Sequence, residues 1–292
     1  MAPPMPELLP EVSPRRRVIV FLLCVVALTL TVEGGLAWLR PASTPCYGLT
    51  VSWSPAMAAW LASRWCRRPA AECGWTWPAF PWLARSYLIP LLYSAGAYGL
   101  AVAAGWATLG GEGLQHLEAG FSLDKLPPGL AVSILVLLSA TYGCLQACLS
   151  ALGEEIGWRG FLTPELAKFL PFTRVSLVTG AIWALWHYPI ILFADYNNGT
   201  PPWWSLPCFT AVLMAISFPM TWLRLESGSL WTGMIFHASH NLFILQLLNP
   251  MTEDKGWTRF VVSEFGLATV VTTTAAALWS VRQARIAKPS SS

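Results

Sequence analysis

The run LAVSILVLLSATYGCLQACLSAL (Leu130–Leu152) contains no charged side chain and leads directly into GEEIGWRG (Gly153–Gly160). Roughly 20 apolar residues suffice for a helix to cross a hydrocarbon core about 30 Å thick. The first stretch therefore reads as a membrane span, and the second as two glutamates and an arginine at its end. Composition agrees: 55% of the 292 residues are hydrophobic and 11% are charged, against roughly 25% charged in soluble domains. The mean hydropathy is +0.52. A water-soluble fold of this size could not cover its surface with so few charges.

Further apolar runs lie at about Val18 to Leu39, Tyr47 to Ser63, Tyr87 to Leu109, Val175 to Ala194, Trp203 to Leu223, Leu230 to Leu248 and Phe260 to Val281. Together they predict an all-α, polytopic transmembrane helix bundle of about eight spans. Ser52, Ser54 and Pro55 interrupt the second run. The first run follows Arg15, Arg16 and Arg17, as a signal peptide would, but it continues past Glu33 to Leu39 without a small-residue cleavage site, so an uncleaved helix is expected. One membrane-embedded domain is expected over residues 18–285, with its motif-bearing core at about 130–248 and cytoplasmic tails at 1–17 and 286–292.

With the N-terminus in the cytoplasm, the inside segments collect Arg15 to Arg17, then Arg64, Arg67, Arg68 and Arg85, then Arg159, Lys168 and Arg174, then Arg224, then Arg282, Arg285 and Lys288. The outside segments carry Arg40, the acidic Glu112, Glu118 and Asp124 with Lys125, and a balanced set at Glu253, Asp254, Lys255 and Arg259. This asymmetry places both termini inside. The net charge of +3 is small and dispersed, so nucleic acid is not expected as a partner; the lipid bilayer is. Seven cysteines without a CxxC pair are expected to be free thiols, and Asn198-Gly199-Thr200, followed by Pro201, is expected to be a chance sequon.

Ionisable residues within spans are costly and mark function by default. The spans and their ends contain Glu33, Glu154, Glu155, Arg159, His187, Asp195, Glu226, His237, His240 and Glu264. Glu155 and Arg159 are four apart with the acid first, the favourable order for an intrahelical ion pair. Glu154 points about 100° away and is left unpaired, which suits a proton-exchanging carboxylate. The bland alternative is a solvated cluster at a helix end. His187 follows Trp183 by one turn and precedes Pro189, which frees the Leu185 carbonyl. His237 and Asn241 share a helix face and can both donate into one space. Either histidine could instead be glue between helices, and His240 is a decoy ligand for the same pattern. One carboxylate, two imidazoles and an amide on three spans nonetheless form a chemical set. Glu154 could take a proton from a water held against His187, while His237 and Asn241 stabilise a tetrahedral oxyanion.

The motifs Glu154-Glu155-xxx-Arg159, Trp183-xxx-His187 and His237-xxx-Asn241 resemble, in order and spacing, those of the CaaX-protease and bacteriocin-processing family of intramembrane proteases, with Trp183 where phenylalanine is commoner. The resemblance covers roughly Leu130 to Leu248. It implies an endopeptidase of eight helices opening to the cytosol, with Glu154 and His187 activating water, His237 and Asn241 forming the oxyanion site, and Glu155 and Arg159 as structural support. It implies a peptide or protein substrate, including prenylated CaaX tails, and no cofactor; zinc on two histidines and a glutamate is the alternative. The implied location is the plasma membrane of a prokaryote or the endoplasmic reticulum of a eukaryote. Rival readings are a non-catalytic immunity or partner-binding membrane protein and a proton-coupled transporter.

Overall fold

The computed structural model describes residues 12–39 and 50–286. Most of the expected N-terminal tail, Arg40, Cys46, the start of the second expected span at Tyr47, and Lys288 with the rest of the C-terminal tail lie outside these residues, as do the side chains of Glu33 and Glu112. The chain is an α-helical bundle. Its helices are α1 (Pro14–Leu39), α2 (Ser54–Cys66), α3 (Phe80–Ala103), α4 (Gly111–Gly120), α5 (Pro128–Ala167), α6 (Phe172–Phe193), α7 (Pro202–Ser227), α8 (Trp231–His240, continued by the wider turns of Asn241–Leu248), the short α9 (Thr258–Val261) and α10 (Leu267–Ile286). A two-residue antiparallel ladder joins Thr108–Leu109 to Thr252–Glu253. Prolines open α2, α3 and α7, where a missing backbone N–H costs nothing.

Polarity is inverted relative to a soluble protein. Leu92, Leu145 and Phe193 are 68%, 67% and 85% exposed on the outer faces, while Glu155 and Arg159 are 0% exposed inside. Helices α3, α5, α6 and α7 are long and apolar enough to cross a membrane. Apolar outer surface gains nothing from burial against lipid, so the helices associate by close packing at small residues. A Cβ on Gly153 or Gly157 of α5 would stand 2.6 Å from the Ser52 carbonyl or 2.5 Å from the Pro55 side chain, and one on Gly180 of α6 would stand 2.7 Å from the Met214 Cα of α7. Along α10 the buried stripe is Thr269, Thr273, Ala277 and Ser280. Helix α1 joins the core through Phe21, stacked at 4.8 Å on Phe161 and edge-on to Trp158.

Three expectations are corrected. The fourth span does not stop at Leu152, because α5 continues to Ala167; Glu154 and Glu155 are consequently interior residues of a helix, not a solvated cluster at its end. The eighth does not start at Phe260: α9 stops at Val261, a bend follows, and α10 begins at Leu267. The bend has Ser263 in the left-handed region, φ 72°, and a Cβ at Gly266 would meet the Val261 and Val262 carbonyls at 2.3 Å, so the turn requires glycine there. Third, several basic residues counted as inside flanks are structural. Arg17, Arg68 and Lys168 surround Glu72 and Glu165 in one ion-pair network at 2.8–3.6 Å, and Arg17, Arg68 and Arg224 are all buried. Partial burial works against the Glu72 charge, but the hydrogen bond from Lys168 and the nearby charges of Lys168, Arg68 and Arg17 outweigh it and hold the carboxyl below its usual value.

Candidate functional site

The α5 helix changes pitch within the glutamate motif. Ile156–Leu162 adopts π-type turns, which widen the helix by about one residue and release carbonyls from their usual partners. Arginines recapture them. Arg224 Nε donates to the Arg159 carbonyl at 2.7 Å, and Arg68 Nη2 donates to the Gly160 carbonyl at 3.0 Å. These bonds join α7 and the segment following α2 to α5 where its motif lies.

Glu155 and Arg159 form the predicted pair, Nη1 to Oε1 at 2.9 Å, both fully buried. Arg159 also donates to Ser217 Oγ at 3.3 Å and lies 4.4 Å above the Trp183 ring. The same Glu155 Oε1 stands 3.1 Å from His237 Nδ1. Its Oε2 has no hydrogen-bond partner and faces Gly233, where a Cβ would approach it to 2.7 Å. Gly233, one turn before His237, thus admits the supporting ion pair against α8; the sequence gives it no distinguishing mark.

Glu154 differs from expectation. It is not unpartnered, because Trp183 Nε1 donates to its Oε2 at 2.8 Å. Trp183 is the hub of the site: its ring sits 5.0 Å from His237 and 6.1 Å from His187, and its other contacts are Glu154 and Arg159. A single indole contacts both imidazoles and the Glu154 carboxylate.

Each histidine is held by one nitrogen. His187 Nδ1 is 3.0 Å from the Trp183 carbonyl, and His237 Nδ1 is 3.1 Å from Glu155. A carbonyl and an ionised carboxylate can only accept, so both Nδ1 atoms carry hydrogen and Nε2 is the nitrogen left for chemistry. In neutral His187 that nitrogen is an acceptor; His237 becomes a donor at Nε2 when doubly protonated. Trp186 packs at 4.7 Å against His187 and is itself fixed by donating Nε1 to Thr29 of α1 at 2.8 Å.

Glu154, His187, His237 and Asn241 all line one cavity of about 160 Å³, so the four residues read from the sequence as reacting groups are brought to the same place. The cavity accommodates water and a single amide group, not a folded ligand. Besides Trp183, four further polar residues line it: Ser52, Tyr196, His240 and Glu264. Among these, His240 and Glu264 stood out in the sequence as ionisable groups in apolar runs, whereas Tyr196 carried no signal. Among the described residues no three His, Cys, Asp or Glu side chains are grouped as a metal site requires.

Fold and site together define a helical integral membrane protein with a buried carboxylate–imidazole centre. Residues 137–243, which include all three motifs, match the family model described as type II CAAX prenyl endopeptidase Rce1-like, in agreement with those motifs. The chain is 30% identical over 141 residues to CAAX prenyl protease 2 of Methanococcus maripaludis, covering 46% of this chain and 45% of that protein. It therefore spans about half the length of the curated relative it matches.

Proposed function

We propose that this protein is an intramembrane endopeptidase that hydrolyses a peptide bond with water activated by Glu154. The observation that carries the reading is the convergence of Glu154, His187, His237 and Asn241 on one cavity, with both imidazoles tethered at Nδ1. Water held between the Glu154 carboxylate and the His187 Nε2 lone pair loses a proton to Glu154 as it attacks the scissile carbonyl. The oxyanion forms against His237 Nε2–H and the Asn241 side-chain amide, donors fixed before the reaction begins. Glu154 then returns the proton to the leaving nitrogen, and the C–N bond breaks. Glu155 and Arg159 hold His237 in place.

The substrate class is a peptide whose scissile bond reaches membrane depth, with C-terminal CaaX-type segments, prenylated ones included, as the class suggested by the name of the matching relative. The chemistry needs no metal. The bundle crosses the membrane about eight times with both termini cytoplasmic, in a plasma membrane or endoplasmic reticulum.

The test is cleavage of plain and farnesylated CaaX peptides by detergent-purified wild type and Glu154→Gln, with and without a zinc chelator. Chelator-resistant cleavage by wild type, lost in a folded Glu154→Gln, is the expected result. Absence of cleavage by folded wild type would favour a non-catalytic or proton-coupled protein, and chelator-sensitive cleavage would place a metal at the site.

A further inference from the structure

The glutamate–histidine mechanism makes no use of Glu264, although this carboxylate is 3% exposed and lines the same cavity as Glu154. Both its oxygens are engaged. Oε1 lies 2.9 Å from His240 Nε2, and Oε2 accepts a short hydrogen bond from the Tyr196 hydroxyl. His240 is likewise held at both ring nitrogens, its Nδ1 standing 2.6 Å from the Tyr93 hydroxyl. Because an ionised carboxylate can only accept, neutral His240 donates from Nε2 and receives the Tyr93 proton at Nδ1. The result is a closed chain, Tyr93 to His240 to Glu264 to Tyr196, with every polar atom satisfied.

The chain joins four separate pieces of backbone: α3, the end of α8, the bend between α9 and α10, and the segment after α6. Two are held in uncommon conformations next to the residue they deliver. Asp195, immediately before Tyr196, has φ 56°, and Ser263, immediately before Glu264, has φ 72°. Non-glycine residues adopt this region at a cost and persist there where surrounding contacts over-determine them. The bend is further fixed by Trp204 Nε1, which donates to the Phe265 carbonyl at 2.9 Å.

At its Tyr196 end and at its His240 link the chain meets a residue of the proposed reaction. Tyr196 is stacked beside the His187 ring, centroids 6.4 Å apart and planes 28° from parallel, and both rings pack on Phe209. His240 immediately precedes Asn241, the residue at which α8 passes from ordinary to wider turns.

We infer that Glu264 is a positioning residue of the site: acting through Tyr196 and His240, it sets the orientation of His187 and Asn241, and so couples the water-activating half of the cavity to the oxyanion half. This inference rests on the peptidase reading for its kinetic consequence, though not for the clamp itself.

Tyr196→Phe deletes one hydroxyl, and Glu264→Gln keeps the shape while removing the charge. In peptide cleavage each is expected to lower kcat about 10- to 100-fold, the scale of a misplacement of about 1 Å, with KM within about threefold of wild type. The double variant should be no slower than Glu264→Gln alone, since both act through one chain. Amide hydrogen exchange supplies a readout that needs no substrate: both variants should exchange faster at residues 194–201, and Glu264→Gln also at 238–245. Wild-type kcat in both variants, or multiplicative losses in the double, would overturn the inference. So would exchange unchanged from wild type, even if the wild type proves to cleave nothing, an outcome that would separately remove the peptidase reading.

Discussion

Replacing Arg159 by methionine removes a guanidinium that is wholly buried, 2.9 Å from Glu155 Oε1, and stacked over Trp183 at 4.4 Å. Methionine retains most of the aliphatic packing, so the loss is electrostatic. It leaves the Glu155 carboxylate with His237 as its remaining hydrogen-bond partner and with Oε2 already unsatisfied. Breaking one side of a buried ion pair costs about 3–5 kcal/mol, and the lost cation–π contact adds about 1 kcal/mol. At about 2–4 °C per kcal/mol for a chain of this order of size, Arg159→Met should lower the melting temperature in detergent by about 8–24 °C. The decisive companion is the double variant Arg159→Met, Glu155→Gln, in which no buried charge is stranded. It should recover most of the stability yet not the peptide cleavage, because His237 Nδ1 no longer faces a carboxylate. Thermal melts and cleavage assays on the two variants test both halves. A single variant that melts within 2 °C of wild type, or a double variant no more stable than the single, would refute the argument that stranded charge is the cost.

Gly157→Ala should destabilise the protein by about 1–3 kcal/mol through overpacking, since the new Cβ would stand 2.5 Å from Pro55 and 2.9 Å from its backbone carbonyl; an unchanged thermal melt would mean that α2 and α5 can separate freely. Trp183→Phe keeps a ring between the two imidazoles but deletes the N–H that meets Glu154, a bond to a charged group worth about 1.5–3 kcal/mol. Turnover should stay within about tenfold while the melt falls, and a hundredfold loss of turnover at unchanged melt would give the indole N–H a chemical role. Glu72→Gln tests the ion-pair network around Glu72 and Glu165. Because the folded carboxyl is held below its usual value, its stabilisation is present above the unfolded value of about 4.3 and disappears as pH falls through the folded one. Wild type and variant should therefore differ in melting temperature at pH 7 and converge below pH 4; a constant difference would show that the charge is not what stabilises.

The polar residues of the site were legible because apolar spans leave so few ionisable groups to choose among. Glu154, His187, His237 and Asn241 stand out against runs of Leu, Val and Ala, and their spacing fixed the faces they share. What was not legible depends on contacts between residues far apart in the chain. Hydropathy falls at Glu154 and Glu155, which suggests a helix end; in the folded protein Arg159 neutralises Glu155 and the helix continues. Trp183 looked like an aromatic at a motif position, yet its N–H meets Glu154 and its ring meets Arg159 and His237. Arg68 and Arg224 read as juxtamembrane charge, but each lies over a carbonyl that the α5 turns have freed. The Glu264 clamp joins residues as much as 147 positions apart, beyond the reach of any local pattern.

The wide turns at Ile156–Leu162 have a consequence for comparing sequences. A π-type turn holds one residue more than the α-helical turn it replaces, so a single deletion that relaxes it to an α-helical turn keeps the rotational phase of everything after it. Thr163–Ala167, including Glu165 of the ion network, would then keep its partners, while the Arg159 and Gly160 carbonyls would no longer be freed for Arg224 and Arg68. A homologue that lacks the extra residue should therefore show a one-position gap just beyond the glutamates, with the contacts of Arg68 and Lys168 to Glu165 retained. A one-residue gap in this stretch thus marks the loss of the wide turns and of their freed carbonyls, without any change in the reacting groups.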